Sequence, residues 1–222
     1  MAYTYKYPHP AVSVDVAIFT IRDEALKVLL IRRGQPPYRG EWALPGGFVG
    51  LEESLKHAAW RELKEETGVN AVYLEQLFTF GHPQRDPRER VISVAYFALI
   101  PSDKLEIKAA SDADSVDWFG IEEVPKLAFD HKKILRKALE RVAAKLDYST
   151  IAFQLMPETF TMPQLQHVYE VITRVPTDKR NFRKRMLALN VIEQTGEEKR
   201  TGAHRPAKLY RVVDRNKVDY IK

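Results

Sequence analysis

No cysteine occurs among the 222 residues, which excludes disulfides, thiolate metal sites and cysteine nucleophiles and fits a reducing interior. No apolar run approaches the roughly eighteen residues a membrane span requires. The opening MAYTYKYPHP lacks a signal-peptide core, so the expected location is the cytoplasm, with no membrane partner. Internal repeats and low-complexity tracts are missing as well. The six histidines are scattered, with no spacing suited to a metal site. The tail is short of acid: residues 150–222 hold 14 Lys and Arg against 8 Asp and Glu, whereas residues 1–149 hold 21 against 22. The net charge of +5 therefore belongs to the last third, and a basic segment beside a neutral one suggests a polyanion as partner. The length suits two domains, expected at 1–147 and 148–222.

What is present is concentrated in GFVGLEESLKHAAWRELKEETGV, residues 47–69. A turn carrying Gly46, Gly47 and Gly50 leads into about four helical turns, closed by Gly68 in the left-handed conformation. Glu62, Glu65 and Glu66 stand at i, i+3 and i+4, so all three project from one side of the helix. Like charges held that close call for a cation between them, and carboxylate oxygens suit hard divalent ions, Mg2+ or Mn2+. Such an ion keeps open positions for phosphate oxygens and an attacking water. The general base stays open among Glu66, Glu106, Asp112 and Asp114.

The flanking segments describe an α/β sandwich. Residues 11–21 and 26–33 read as a β-hairpin turned at Arg22, Asp23 and Glu24, and residues 70–80, 90–100 and 116–119 as further strands. The helix starting after Asp130, its expected N-cap, carries Ile134, Leu135, Ala138, Leu139, Val142 and Leu146 on one stripe. Asp147 to Thr150 then reads as a short linker. The candidate ligand contacts are Gly46 and Gly47, with Arg39 in the loop before them and Arg85 in GHPQRDPRER; Arg88 and Arg90 of the same loop are also placed to meet phosphate or ribose oxygens.

In the last third, Thr161 and Gln164 form a capping-box pattern opening a helix through LQHVYEVIT. After the turn RVPTD, Asp178 caps KRNFRKRMLALN, in which Phe182, Met186 and Leu189 face inward and Arg180, Asn181, Lys184 and Ala188 face outward. Two helices and a tight turn make a helix-turn-helix, and the strand-like 191–193 and 208–212 flank GEEKRTGAHRPA as a wing. Lys179, Arg180, Asn181 and Lys184 are the candidates for the major groove, and Lys199, Arg200, His204 and Arg205 for the phosphates.

Gly47, Glu53, Arg61, Glu62, Leu63, Glu65, Glu66, Gly68 and Val69 match the Nudix box without departure. The chain thus resembles the Nudix hydrolases, which cleave nucleoside diphosphates linked to another moiety, and Pro83 lies where that superfamily associates a proline with ADP-ribose. The resemblance implies Glu62, Glu65 and Glu66 as ligands of Mg2+ or Mn2+, and Glu53, Arg61 and Glu66 as the catalytic set. With TFTMPQLQHVYEVI, DKRNFRKRML and RPAKLYR, the whole chain resembles the Nudix-related transcriptional regulators. That implies a Nudix α/β/α sandwich with a C-terminal winged helix, and a homodimer on a palindromic operator in double-stranded DNA. It also implies ADP-ribose or a related nucleotide as effector, and repression of NAD-metabolism genes. Many members of that group have lost box residues; here the box is complete, so hydrolysis stays open. The alternative is a magnesium-dependent ADP-ribose pyrophosphatase whose tail does not bind DNA.

Overall fold

The computed structural model describes residues 6–68, 73–104, 113–200, 206–215 and 217–221. It divides into two compact units, Met1–Phe19 with Val28–Ala98 and Glu106–Ala138, and Thr20–Lys27 with Leu99–Leu105 and Leu139–Lys222.

A seven-stranded sheet dominates the first unit. Its strands are β1 (Ala11–Arg22), β2 (Ala25–Arg33), β3 (Trp42–Ala43), β4 (Gly46–Phe48), β5 (Tyr73–Phe80), β6 (Val91–Leu99) and β7 (Ala113–Gly120). The order is β3-β2-β1-β6-β5, with β4 paired to β1 and β7 to β2. Residues 13–20 of β1 are all buried, the signature of a strand covered on both faces rather than one alternating between core and water. The β1–β2 turn is tighter than expected. Arg22 stays in the strand, and only Asp23 and Glu24, with φ of 51° and 57°, make the connection, the geometry that matches strand twist in two-residue hairpins.

The short strands β3 and β4 were not expected from the sequence. In β4, Gly46 lies opposite Asp15 and Gly47 opposite Val14. A Cβ on Gly46 would stand 2.3 Å from the Val14 carbonyl oxygen, so only glycine permits this approach. Helix α1 (Leu55–Thr67) follows, with the Ser54 hydroxyl accepting from the His57 amide at its start and Gly68, φ 69°, donating its amide to the Lys64 carbonyl at its end. It packs against β4 and β7.

Helix α2 (His131–Tyr148) buries Ile134, Leu135, Ala138, Val142 and Leu146, with Leu139 half-buried. Asp130 precedes it, but its carboxylate bonds Arg85. The segment read as a linker is instead folded into the second unit. Ser149 is 0% and Thr150 4% exposed, and a buried 3-10 turn, Ile151–Leu155, follows at once. Thr150 donates its amide to the Asp219 carbonyl and accepts the Asp219 amide on Oγ1; backbone satisfied this way is not a free joint.

The rest of the second unit is a winged helix: α3 (Met162–Thr173), α4 (Lys179–Ala188) and a sheet of β8 (Phe160–Thr161), β9 (Ile192–Lys199) and β10 (Ala207–Val212) in the order β8-β10-β9. The capping box of Thr161 and Gln164 forms as expected, and the Asp178 carboxylate accepts the Asn181 amide. Strand β9 continues through residues read as loop, because Gly196 takes φ 86°. Glu198 faces Lys208 and Gln194 faces Tyr210, so three residues stand against Leu209 alone, a bulge that strengthens twist toward the wing tip. Among the described residues no helix is long and apolar enough to cross a membrane.

Candidate functional site

Arg61 organises the glutamate helix. Its Nε and Nη2 donate to the two Glu53 carboxylate oxygens at 3.1 and 2.7 Å, Nη2 also reaches the Phe48 carbonyl at 3.1 Å, and Nη1 reaches Glu62 at 2.6 Å and Glu65 at 3.1 Å. The parallel pair to Glu53 is the fork geometry only an arginine supplies. Glu53 also accepts the Gly50 amide at 2.7 Å, and Arg61 with that amide holds the Glu53 carboxyl down at about 2. Burial pushes the Glu62 carboxyl up, against the pull of Arg61.

Two carboxylates therefore converge on one cationic nitrogen. Glu62 lies against the backbone of Gly47, where a Cβ would meet its Oε1 at 2.2 Å, so the glycine is what lets the acid reach the loop. An all-oxygen pair beside a bare backbone fits a hard divalent ion. The Glu66 side chain lies outside the described residues, and among those residues no three ligating groups gather. Glu106 and Asp112, and the side chain of Asp114, are also outside them.

Gly46 and Gly47 open onto a cleft that is also lined by Asp15, Arg33, Phe48, Arg85, Arg88, Phe129 and His131. Arg39 is exposed and is not among its lining residues, because its loop folds back on β2 through Gly40 amide to Arg33 carbonyl and Arg32 Nε to Gly40 carbonyl. Arg85 does line the cleft, but its guanidinium is buried and spent. It bonds Asp15 at 3.1 Å and Asp130 at 2.8 Å, and its side chain is 4% exposed. Asp15 further accepts from Ser93 and from His131 Nε2, the latter at 3.3 Å, while His131 Nδ1 accepts the Leu44 amide at 2.9 Å. Since Nδ1 accepts, the ring carries its proton on Nε2 and points it at Asp15. Burial opposes ionisation of Asp15, but His131, Arg85 and Ser93 outweigh it and hold the carboxyl at about 2. This cluster pins the strand that presents Gly46. Its one sequence signal was an aspartate in the middle of an apolar strand.

On α4, Lys179, Arg180, Asn181 and Lys184 are all exposed, and among the described residues Lys179, Arg180 and Lys184 enter no ion pair. The helix's other two arginines turn to its flanks. Arg183 Nη2 donates to the Tyr210 hydroxyl at 2.9 Å, and Arg185 lies 5.3 Å from the Tyr169 ring centroid. The turn before α4 is set by Glu170, which accepts the Thr177 amide and hydroxyl and Gln166 Nε2 at 2.8 to 3.0 Å. Lys199 and Arg200 are exposed at the wing; His204 and Arg205 lie outside the described residues.

Comparison with known proteins accords with this geometry. Residues 11–140 match the NUDIX domain and residues 152–212 the NrtR DNA-binding winged helix domain; Nudix domains generally use divalent metal ions. The ADPR responsive transcriptional repressor NtrR of Acinetobacter baylyi is 41% identical over 209 residues, covering 92% of this chain and 83% of the relative. The ADP-ribose pyrophosphatase of Methanocaldococcus jannaschii is 42% identical over 130 residues, 59% of this chain and 73% of the relative. The structure of Shewanella oneidensis NrtR complexed with a 27mer DNA superposes with a TM-score of 0.82 at 38% identity, covering 90% of this chain and 93% of that one. The NUDIX domain of the same protein, complexed with ADP ribose, gives a TM-score of 0.58 at 37% identity over 63% of this chain and 94% of that one. A mixed α/β Nudix fold with a glutamate helix, joined in one chain to a winged helix of the NrtR kind, makes this protein a member of the NrtR family of Nudix-related transcriptional regulators.

Proposed function

We propose that the chain is a cytoplasmic transcriptional repressor of NAD-metabolism genes, with residues 1–147 receiving ADP-ribose and residues 148–222 binding a palindromic operator as a homodimer. The observation that carries this reading is one chain's having both a cleft at Gly46 and Gly47 and an exposed basic face on α4 that enters no ion pair among the described residues. Relatives that respond to or bind ADP-ribose, and one crystallised with DNA, support it. Glu62, Glu65 and Glu66 would hold Mg2+ or Mn2+, which neutralises pyrophosphate charge when bound. Arg61 keeps Glu62 and Glu65 together and Glu53 anchors Arg61. Lys179, Arg180, Asn181 and Lys184 read the major groove, where arginine and asparagine match guanine and adenine edges. Lys199, Arg200, His204 and Arg205 meet phosphates. For the effector to act, it must bind one state of the dimer better than the other, and it shifts the balance only by that difference.

The test is a gel shift with DNA upstream of the neighbouring genes, titrated with ADP-ribose, NAD and simple sugars. A shift that changes with ADP-ribose alone is the expected result; a shift indifferent to every compound refutes the coupling. The unbroken network of Glu53, Arg61, Glu62 and Glu65 favours a second activity, hydrolysis of ADP-ribose to AMP and ribose phosphate. Release of AMP with magnesium, lost in the Glu65→Gln, Glu66→Gln variant, is its measure.

A further inference from the structure

Three arginines lie between Gly81 and Val91, and the structure sorts them. Arg85 is committed to Asp15 and Asp130, and Arg90 reaches back to the Val91 carbonyl. Arg88 is built differently. Asp86, which is 6% exposed, accepts the Arg88 amide at 3.0 Å, Nε at 3.0 Å and Nη2 at 2.7 Å. Two parallel bonds to one carboxylate fix the guanidinium plane. The guanidinium carbon lies 5.0 Å from the Phe48 ring centroid and 5.8 Å from that of Phe129, inside cation–aromatic range. Nη1 has no partner among the described residues, and the side chain remains 41% exposed in the lining of the cleft.

The same wall is held against local backbone preference. Phe129 has φ 52° and Tyr38 φ 63°, a region that bulky side chains enter only at a cost. Their rings meet edge to face at 4.8 Å, and Arg33 lies 4.9 Å from the Phe129 centroid. Two aromatic residues in that conformation, with their rings in contact, indicate a surface whose shape matters more than its local stability.

We propose that Arg88 is the specificity-determining contact of the cleft: its plane set by Asp86 and steadied by Phe48 and Phe129, it donates from Nη1 to a phosphate oxygen of a nucleoside diphosphate lying along Gly46 and Gly47. A fixed cation with an open donor edge selects a pyrophosphate-bearing ligand over the uncharged nucleoside. This rests on the reading that the cleft receives a nucleotide.

The experiment is calorimetric titration of the full chain and its Arg88→Ala variant, with magnesium, against the non-hydrolysable α,β-methylene analogue of ADP-ribose and against adenosine. The expected result is a Kd for the analogue raised at least tenfold in Arg88→Ala, with adenosine binding within twofold of the parent. Analogue binding within twofold of the parent overturns the assignment. So does an equal loss for both ligands, which would make Arg88 a prop for Phe48 only. If the parent chain itself does not bind the analogue, the nucleotide reading of the cleft fails, and this assignment with it. Should Arg88→Ala not fold, Arg88→Lys, which keeps charge but loses the double bond to Asp86, takes its place; a threefold loss for the analogue alone supports the proposal, and parity overturns it.

Discussion

Behind Gly47 and in the cleft that Gly46 and Gly47 line, Arg61 in the first place and Arg85 and Arg88 in the second each face at least one carboxylate of their own chain; on α4, Lys179, Arg180 and Lys184 face none among the described residues. The first arrangement spends charge internally to fix donors and glycines in position, as recognition of a small, compact ligand requires. The second keeps charge in reserve for a long polyanion, where affinity comes from displaced counterions and tolerates loose positioning. One protein thus holds a stiff electrostatic site and a soft one. Salt should separate them, since exposed charges are screened and buried pairs much less so.

Removing the soft charge gives the largest effect. Arg180→Ala with Lys184→Ala should weaken operator binding roughly a hundredfold and relax the preference for operator over unrelated DNA, with ADP-ribose affinity unchanged by calorimetry. Stiffness is tested next. Gly47→Ala drives a methyl group to 2.2 Å from Glu62 Oε1; displacing that carboxylate should cost about 1–3 kcal/mol of stability and weaken ADP-ribose binding by calorimetry, while the DNA shift without ligand stays as in the parent. A methyl tolerated without loss would show that the loop is softer than its contacts imply.

A pH series sharpens the contrast further. The Asp15 carboxyl lies at about 2 in the fold against roughly 3.9 when unfolded. Its folded value is the lower one, so its contribution, about 2 kcal/mol, is fully present above pH ~4 and is lost as pH falls toward 2. Asp15→Asn should flatten that acid limb of a thermal denaturation series. The smallest change expected is in Asp178→Ala, which removes the cap on the Asn181 amide and should cost about 1 kcal/mol in urea unfolding. A loss confined to DNA affinity would mean that the cap orients α4 without stabilising the winged helix.

Where an element depends on neighbours in the chain, the sequence already contained it. Gly68 as the stop of α1, Thr161 with Gln164 opening α3, and Asp178 opening α4 are bonds spanning three or four residues, so local chemistry suffices to predict them. The helix-turn-helix and the glutamate helix followed from those stops plus periodicity. The pairing of β8 with β10 did not, nor did the folding of Ser149 and Thr150 into the core, because each needs a partner far along the chain.

The residues themselves determined a carboxylate-bearing helix after a glycine turn and a basic helix after a tight one, since spacing of 3.6 residues per turn settles which side chains share a face. Only the tertiary structure decided which arginine is free to meet a ligand. Arg85 and Arg88 are three positions apart in one loop and alike in any reading of composition. Bonds spanning 70 residues to Asp15 and 45 to Asp130 bury the first, while Asp86, two residues away, holds the second at the surface. Burial of a charge is set by what the fold brings to it, and that is not written beside the residue.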